Sequence, residues 1–327
     1  MQAILGTSAP QSVDAPAWID GNAHPATLDL YTQRMLRQRL VTGALLIAAL
    51  LALAAVDSQV PTLYLYETRI GPGCVLAAFI ALVVAPLMSR ELASLCNPRA
   101  TRALQVVHFV AIIAGVACLF LAPEMVPTHQ LLPLALSTMV GIALLAAVAH
   151  ARKHSAEGTL AAVGGALLSF AWVGIPMGFW LLLRKDREAY TMAAAILCVK
   201  SSDIGAYFTG TLIGRHKLIP WLSPGKSWEG LWGGLVTSAA VGALLAVGSQ
   251  SAWAADRFVE PVSAGWGAFS GAVLGLAGVL GDLFESLLKR GAGVKDSGNV
   301  LPGMGGAFDV LDSLLLAGPL AWWLLAS

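Results

Sequence analysis

Long apolar runs broken by short polar segments dominate this chain. Nine stretches are long enough to cross or nearly cross a bilayer if helical, near 40–56, 71–88, 104–122, 131–149, 159–183, 190–212, 230–248, 264–281 and 306–326. The sixth is interrupted by Lys200 and Asp203. The ninth begins polar and ends apolar (LLLAGPLAWWLLA), so its first turns belong with the polar loop before it, and Pro319 predicts a kink. Residues 1–26 are polar and proline-containing, without the basic start and apolar run of a signal peptide, and read as a flexible tail. The spacing in 27–39, TLDLYTQRMLRQR, predicts a short amphipathic helix. The pattern therefore predicts an all-α, polytopic helical membrane protein with about nine transmembrane helices. A polar tail and short helix (1–39) precede a set of spans (40–189) and a region that carries the chemistry together with its loops (190–327).

Composition agrees with this picture. The chain is 57% hydrophobic and only 12% charged, with a mean hydropathy of +0.73, too apolar for an ordinary soluble domain. A transmembrane barrel would instead show weak alternation in short segments. A net charge of +1 gives no footprint for nucleic acid. The four cysteines, Cys74, Cys96, Cys118 and Cys198, form no C-x-x-C pair and read as buried, inert thiols.

The basic residues give an orientation. With the N-terminus inside, inner loops hold fourteen of the twenty Lys and Arg residues, beginning with Arg34, Arg37 and Arg39, and outer loops hold five. That bias favours N-in and C-out. The outer loop RKDRE (184–188) is a misfit. Loops 214–229 and 282–305 then face the cytoplasm, where nucleotides are available.

Two polar clusters stand out against the apolar background. In the first, SSDIGAYFTGTLIGRHKLIPWLSPGKSWEG (201–230), Asp203 and Tyr207 share a helix face, and Gly205 and Gly210 permit close helix packing. A carboxylate inside a span usually has a task; the alternative is a packing helix with one hydrogen-bonded aspartate. Ser223-Pro224-Gly225-Lys226-Ser227 reads as a turn able to offer backbone N–H groups and a lysine to a phosphate, although a solvated loop lysine is the commoner outcome. Glu229 is placed to partner Lys226, and Trp228 to anchor at the interface.

The second cluster is GDLFESLLKRGAGVKDSGNVLPGMGGAFDVLDS (281–313). Read as a helix, 282–290 puts Asp282, Glu285, Ser286 and Lys289 on one face. A Glu285–Lys289 ion pair on a surface helix explains Glu285 but leaves Asp282 unexplained. The turn Pro302-Gly303-Met304-Gly305-Gly306 leads into a helix whose N–H groups would be available to an anion. Asp309 and Asp312 follow three residues apart, a spacing suited to a hard cation, with compensation of the helix dipole as the alternative. Mg2+ held by carboxylates and substrate phosphates is the natural occupant.

These two blocks resemble the phosphatidate cytidylyltransferase family (CDP-diacylglycerol synthases) in order and spacing over about 110 residues, 201–313. The first 190 residues resemble it only as a set of spans. The resemblance implies cytidylyl transfer from CTP to phosphatidate, giving CDP-diacylglycerol and pyrophosphate, at a Mg2+-dependent site open to the cytoplasm of a bacterial inner membrane. By position, the metal-binding aspartates fall on Asp282, Asp309 and Asp312, with room for a second cation. The basic residues fall on Lys226, Lys289, Arg290 and Lys295, with Ser223 in the SP-K turn. The expected catalytic set is Asp282, Lys289, Arg290 and Asp309; Ser223, Lys226, Lys295, Asp203, Gly305 and Gly306 are expected to bind substrate. The expected partners are CTP, phosphatidate and the bilayer, with no nucleic acid and with a homodimer allowed. Two positions depart from the family: Met304, where it usually has histidine, and Val310, where it usually has arginine.

Transfer to an already anionic phosphate builds negative charge that cations must screen. The phosphate monoester is largely ionised near neutral pH, so no strong base is required. A CTP-dependent lipid-alcohol kinase is one rival; it needs a base for a hydroxyl, with Glu285 the candidate. An ion transporter using Asp203, Asp282 and Asp309 is another, but the two halves show no repeat and the lysines would go unexplained.

Overall fold

A computed structural model describes residues 52–326 apart from 61–62, 66–67, 98–99, 153, 252–253, 255–259 and 302, together with 42, 45, 48 and 49. The amphipathic helix expected at 27–39, its arginines, and about half of the span expected at 40–56 lie outside the described residues. Residues 52–58 are helical, and a small antiparallel hairpin follows, β1 (Leu63–Leu65) with β2 (Thr68–Ile70).

Among the described residues, nine helices follow in order: α1 (Cys74–Cys96), α2 (Arg102–Phe120), α3 (Ala122–Met125), α4 (Thr128–Ala151), α5 (Thr159–Asp186), α6 (Ala189–Ile213), α7 (Trp228–Ser249), α8 (Ala264–Gly291) and α9 (Ala307–Leu325). Seven of them, all but α3 and α6, are long and apolar enough to cross a membrane. They match seven of the nine expected spans and make the chain an integral membrane protein; the count of nine is not reached among the described residues. The sixth expected span, 190–212, is helical as the 25-residue α6 but is less apolar than the seven that can cross a membrane. Exposed Leu82, Leu132, Val140, Leu144, Leu160 and Leu212 form an apolar exterior suited to lipid.

Two local expectations change. The span expected to end at 281 continues without a break to Gly291, so Asp282 to Lys289 project from a membrane-length helix rather than a surface one. The SPGKS segment is a strand, β4 (Ser223–Ser227), paired antiparallel with β3 (Lys217–Ile219). Ser227 ends that strand and caps α7, its Oγ accepting from Gly230 N at 3.1 Å.

Helices α6, α7 and α8 pack through small residues. A Cβ on Gly242 of α7 would collide with the Gly267 carbonyl of α8, so the two backbones touch directly. Ser238 ties the three together, donating to Gly271 O (2.6 Å) and Cys198 O (2.8 Å). This close approach brings Asp203 of α6 beside Asp282 of α8. The N-terminal half clamps the outside of α9: Trp180 of α5 donates to Leu314 O at 2.9 Å, and Trp172 lies against Phe284 of α8 with ring centroids 4.1 Å apart.

The misfit segment 184–188 has a structural explanation. Arg184 pairs with buried Asp57 at 2.9 Å, Lys185 with Glu124 and Arg187 with Glu260. Its three basic side chains are committed to ion pairs that join distant segments of the fold.

Candidate active site

Asp282 and Glu285 lie one turn apart on α8, and Asp312 meets them from the second turn of α9. The three carboxylates each offer an oxygen within 4.8 Å of the others, and they form the one such acidic cluster among the described residues. Glu285 is fully buried and Asp312 is 8% exposed. The cation near Glu285 is Lys289, at 3.3 Å, and neither Glu285 oxygen accepts a hydrogen bond. Buried carboxylate oxygens without donors are costly unless a cation completes them.

Lysines surround this cluster. Lys226 reaches across from β4 to Asp282 Oδ2 at 2.8 Å and donates to Val279 O at 3.4 Å. Glu229 pairs instead with His216, 2.6 Å away, so it is not the partner of Lys226. Lys289 holds Asp309 Oδ1 at 2.6 Å. Lys200 of α6 donates to Ser313 Oγ at 2.8 Å and sits 3.6 Å from Asp203. Five carboxylates (Asp203, Asp282, Glu285, Asp309, Asp312) thus share the site with three ammonium groups. Three carboxylates whose oxygens converge within 4.8 Å, one of them fully buried with no hydrogen bond, fit a hard divalent cation such as Mg2+.

Asp309 lies outside the triad. Its Oδ2 accepts from Ser297 N (2.9 Å), Ser297 Oγ (2.8 Å) and Gly306 N (2.7 Å), while Oδ1 takes Lys289. It therefore closes the 297–306 loop onto the start of α9. Gly305 permits this with φ +91, and a Cβ there would press on Asp309.

The N–H groups at the start of α9, expected to await an anion, are occupied. Gly306 donates to Asp309. Ala307 and Phe308 donate to Glu91 of α1, both at 2.8 Å, and Ser297 Oγ lies 3.0 Å from the same carboxylate. Glu91 is 5% exposed and caps a helix more than two hundred residues away in sequence. Replacing it with alanine strands two buried N–H donors at about 1–3 kcal/mol each. The expected outcome is a lower melting temperature in detergent with faster proteolysis at 292–306; an unchanged melt and cleavage pattern would remove Glu91 from this role.

The other expected residues lie further out. Arg290 is exposed and donates to Val294 O at 3.1 Å, and Lys295 is exposed on the loop. Ser223 opens β4 opposite Ile219. Sequence reasoning passed over Glu91 and Ser297, noted Lys200 only as an interruption of a span, and gave Glu285 its lysine pair and a base role in the kinase rival but no place among the metal ligands. A lone carboxylate at a span end (Glu91) and a lysine within a span (Lys200) were the available signals.

The chain is similar to several curated phosphatidate cytidylyltransferases. Phosphatidate cytidylyltransferase of Mycobacterium leprae is 38% identical over 158 residues, 47% of each chain. That of Haemophilus influenzae is 41% identical over 130 residues, 40% of this chain and 43% of the relative. That of Helicobacter pylori is 33% identical over 185 residues, 56% of this chain and 62% of the relative. The matched segments span about half the length of these curated relatives. The model of the cytidylyltransferase family matches residues 37–327, and the chain belongs to that family.

Proposed function

We propose that this protein transfers the cytidylyl group of CTP to phosphatidate, giving CDP-diacylglycerol and pyrophosphate. The observation that carries the reading is the Asp282–Glu285–Asp312 triad, with Glu285 and Asp312 buried, bordered by Lys226 at Asp282 and Lys289 at Glu285. A lipid phosphate oxygen bonds to the α-phosphorus of CTP as the bond to pyrophosphate breaks. The triad would hold Mg2+, which when bound neutralises charge on the nucleotide phosphates. Lys226 and Lys289, fixed by their carboxylates, are oriented before substrate arrives and offer point charges to the phosphates. Asp309 holds Lys289 at the triad and the loop at the start of α9. Arg290, in the last turn of α8, and Lys295, on the segment after it, are exposed and would meet the nucleotide from the solvent side. The basic-residue bias supports a site open to the cytoplasm, and the bacterial relatives support an inner-membrane location.

The test uses purified protein with Mg2+, phosphatidate and CTP labelled at either the α or the γ phosphate. Label from the α position is expected in lipid. Label from the γ position would instead establish a kinase, and no lipid label would end both readings.

A further inference from the structure

Lys200 is the twelfth residue of the 25-residue helix α6, which packs against the membrane-length helices α7 and α8; in such surroundings a charge persists only beside a polar partner or cavity. Its contacts are weaker than those of the other two lysines. Lys226 and Lys289 each hold a carboxylate, at 2.8 and 2.6 Å. Lys200 donates to two neutral oxygens of α9, Ser313 Oγ at 2.8 Å and Val310 O at 3.3 Å, and its one ion pair among the described residues is with Asp203 at 3.6 Å. Its charge is the least neutralised of the three.

The surroundings of Lys200 differ as well. Leu197, Lys200, Ile204 and Tyr207 recur at helical spacing along one face. Leu197, Ile204 and Tyr207 are 47%, 57% and 64% exposed, and the Lys200 side chain is 35% exposed. An apolar, uncovered helix face therefore leads to an ammonium group, and Ser313 connects that group to the triad through its neighbour Asp312. This combination matches an amphiphile with an anionic head and apolar tails. A nucleotide, lacking tails, has no use for the apolar face.

We propose that Lys200 binds the phosphate of the lipid substrate, admitted sideways from the bilayer across the Leu197–Tyr207 face of α6. The assignment rests on the cytidylyl-transfer reading for its substrate, while its test includes a binding measurement that does not. Lys200→Gln removes the charge and keeps a donor for Ser313; Lys200→Met serves if the glutamine variant does not fold. In Mg2+-supplemented micelles the variant is expected to raise KM for phosphatidate about tenfold and to leave KM for CTP within about twofold, with Lys200→Arg close to the parent protein. Without CTP, calorimetric titration with short-chain phosphatidate is expected to show about tenfold weaker binding to the glutamine variant. Unchanged phosphatidate binding and KM would overturn the proposal. So would an increase confined to the KM for CTP, which would assign the charge to the nucleotide. A lower melting temperature with both KM values unmoved would reduce Lys200 to a tether between α6 and α9. If the parent protein binds phosphatidate but transfers no label, the transfer reading fails and the binding arm still decides the role of Lys200.

Discussion

Asp312→Asn is expected to lower CTP-dependent labelling of phosphatidate about a thousandfold while leaving the protein folded. Asparagine keeps the shape of the side chain and an oxygen for Ser313 N, which Asp312 Oδ1 accepts in the native site. What it removes is one negative charge from a triad whose oxygens lie within 4.8 Å of each other. Losing about 4 kcal/mol of metal-borne stabilisation corresponds to about three powers of ten in rate. Raising Mg2+ is expected to recover part of that rate, because the defect is one of affinity. Asp309→Asn is the informative contrast. Asp309 serves Lys289, Ser297 and Gly306, so its loss is expected to lower the melting temperature and to respond little to added Mg2+. Full activity in Asp312→Asn would sink the metal role of the triad.

The second large effect concerns stability. Asp57 is fully buried and accepts from Gly73 N at 3.0 and 2.9 Å and from Val75 N at 3.1 Å, while pairing with Arg184 at 2.9 Å. Arg184 is 3% exposed. Asp57→Ala therefore leaves a guanidinium buried without its anion and unties the start of α1. The expected cost is about 3–5 kcal/mol, read as a lower melting temperature in detergent. Asp57→Ala combined with Arg184→Met is expected to be more stable than Asp57→Ala alone, because no charge is then stranded. A double variant no better than the single would show that the pair does not govern stability here.

The apolar runs located most of the fold because a bilayer demands about twenty apolar residues for each helix. Boundaries failed where polar side chains sit inside a membrane-length helix. Asp282 to Lys289 looked like the start of a surface helix, whereas α8 carries them in its last turns, with Asp282 and Lys289 paired to residues of other elements. The strand at 223–227 was read as a turn because Pro224 and Gly225 favour one locally; pairing with Lys217–Ile219 overrides that preference. Asp282, Asp312, Lys226 and Lys289 were legible as site residues because charges are rare here and therefore conspicuous. Glu285 was masked by its correct local explanation, the ion pair with Lys289, which says nothing of its other neighbours.

By itself, the sequence determined that this is a helical membrane protein of the cytidylyltransferase type, with its two recognisable polar motifs in 201–313. Apolar length and residue type are local properties, and they survive without coordinates. The tertiary structure alone decided which charges share a site. Small residues let α6, α7 and α8 close to backbone contact, which sets Asp203 near Asp282 and sends Lys200 to Ser313. Glu91, from the half of the chain with no recognisable motif, takes the N–H groups that local reasoning had left for an anion. Asp309 was thereby separated from Asp312, three residues away: the first holds the loop, and the second faces the carboxylates of α8. Spacing along one helix fixes which side chains share a face, and the packing of other helices against that face assigns each its partner.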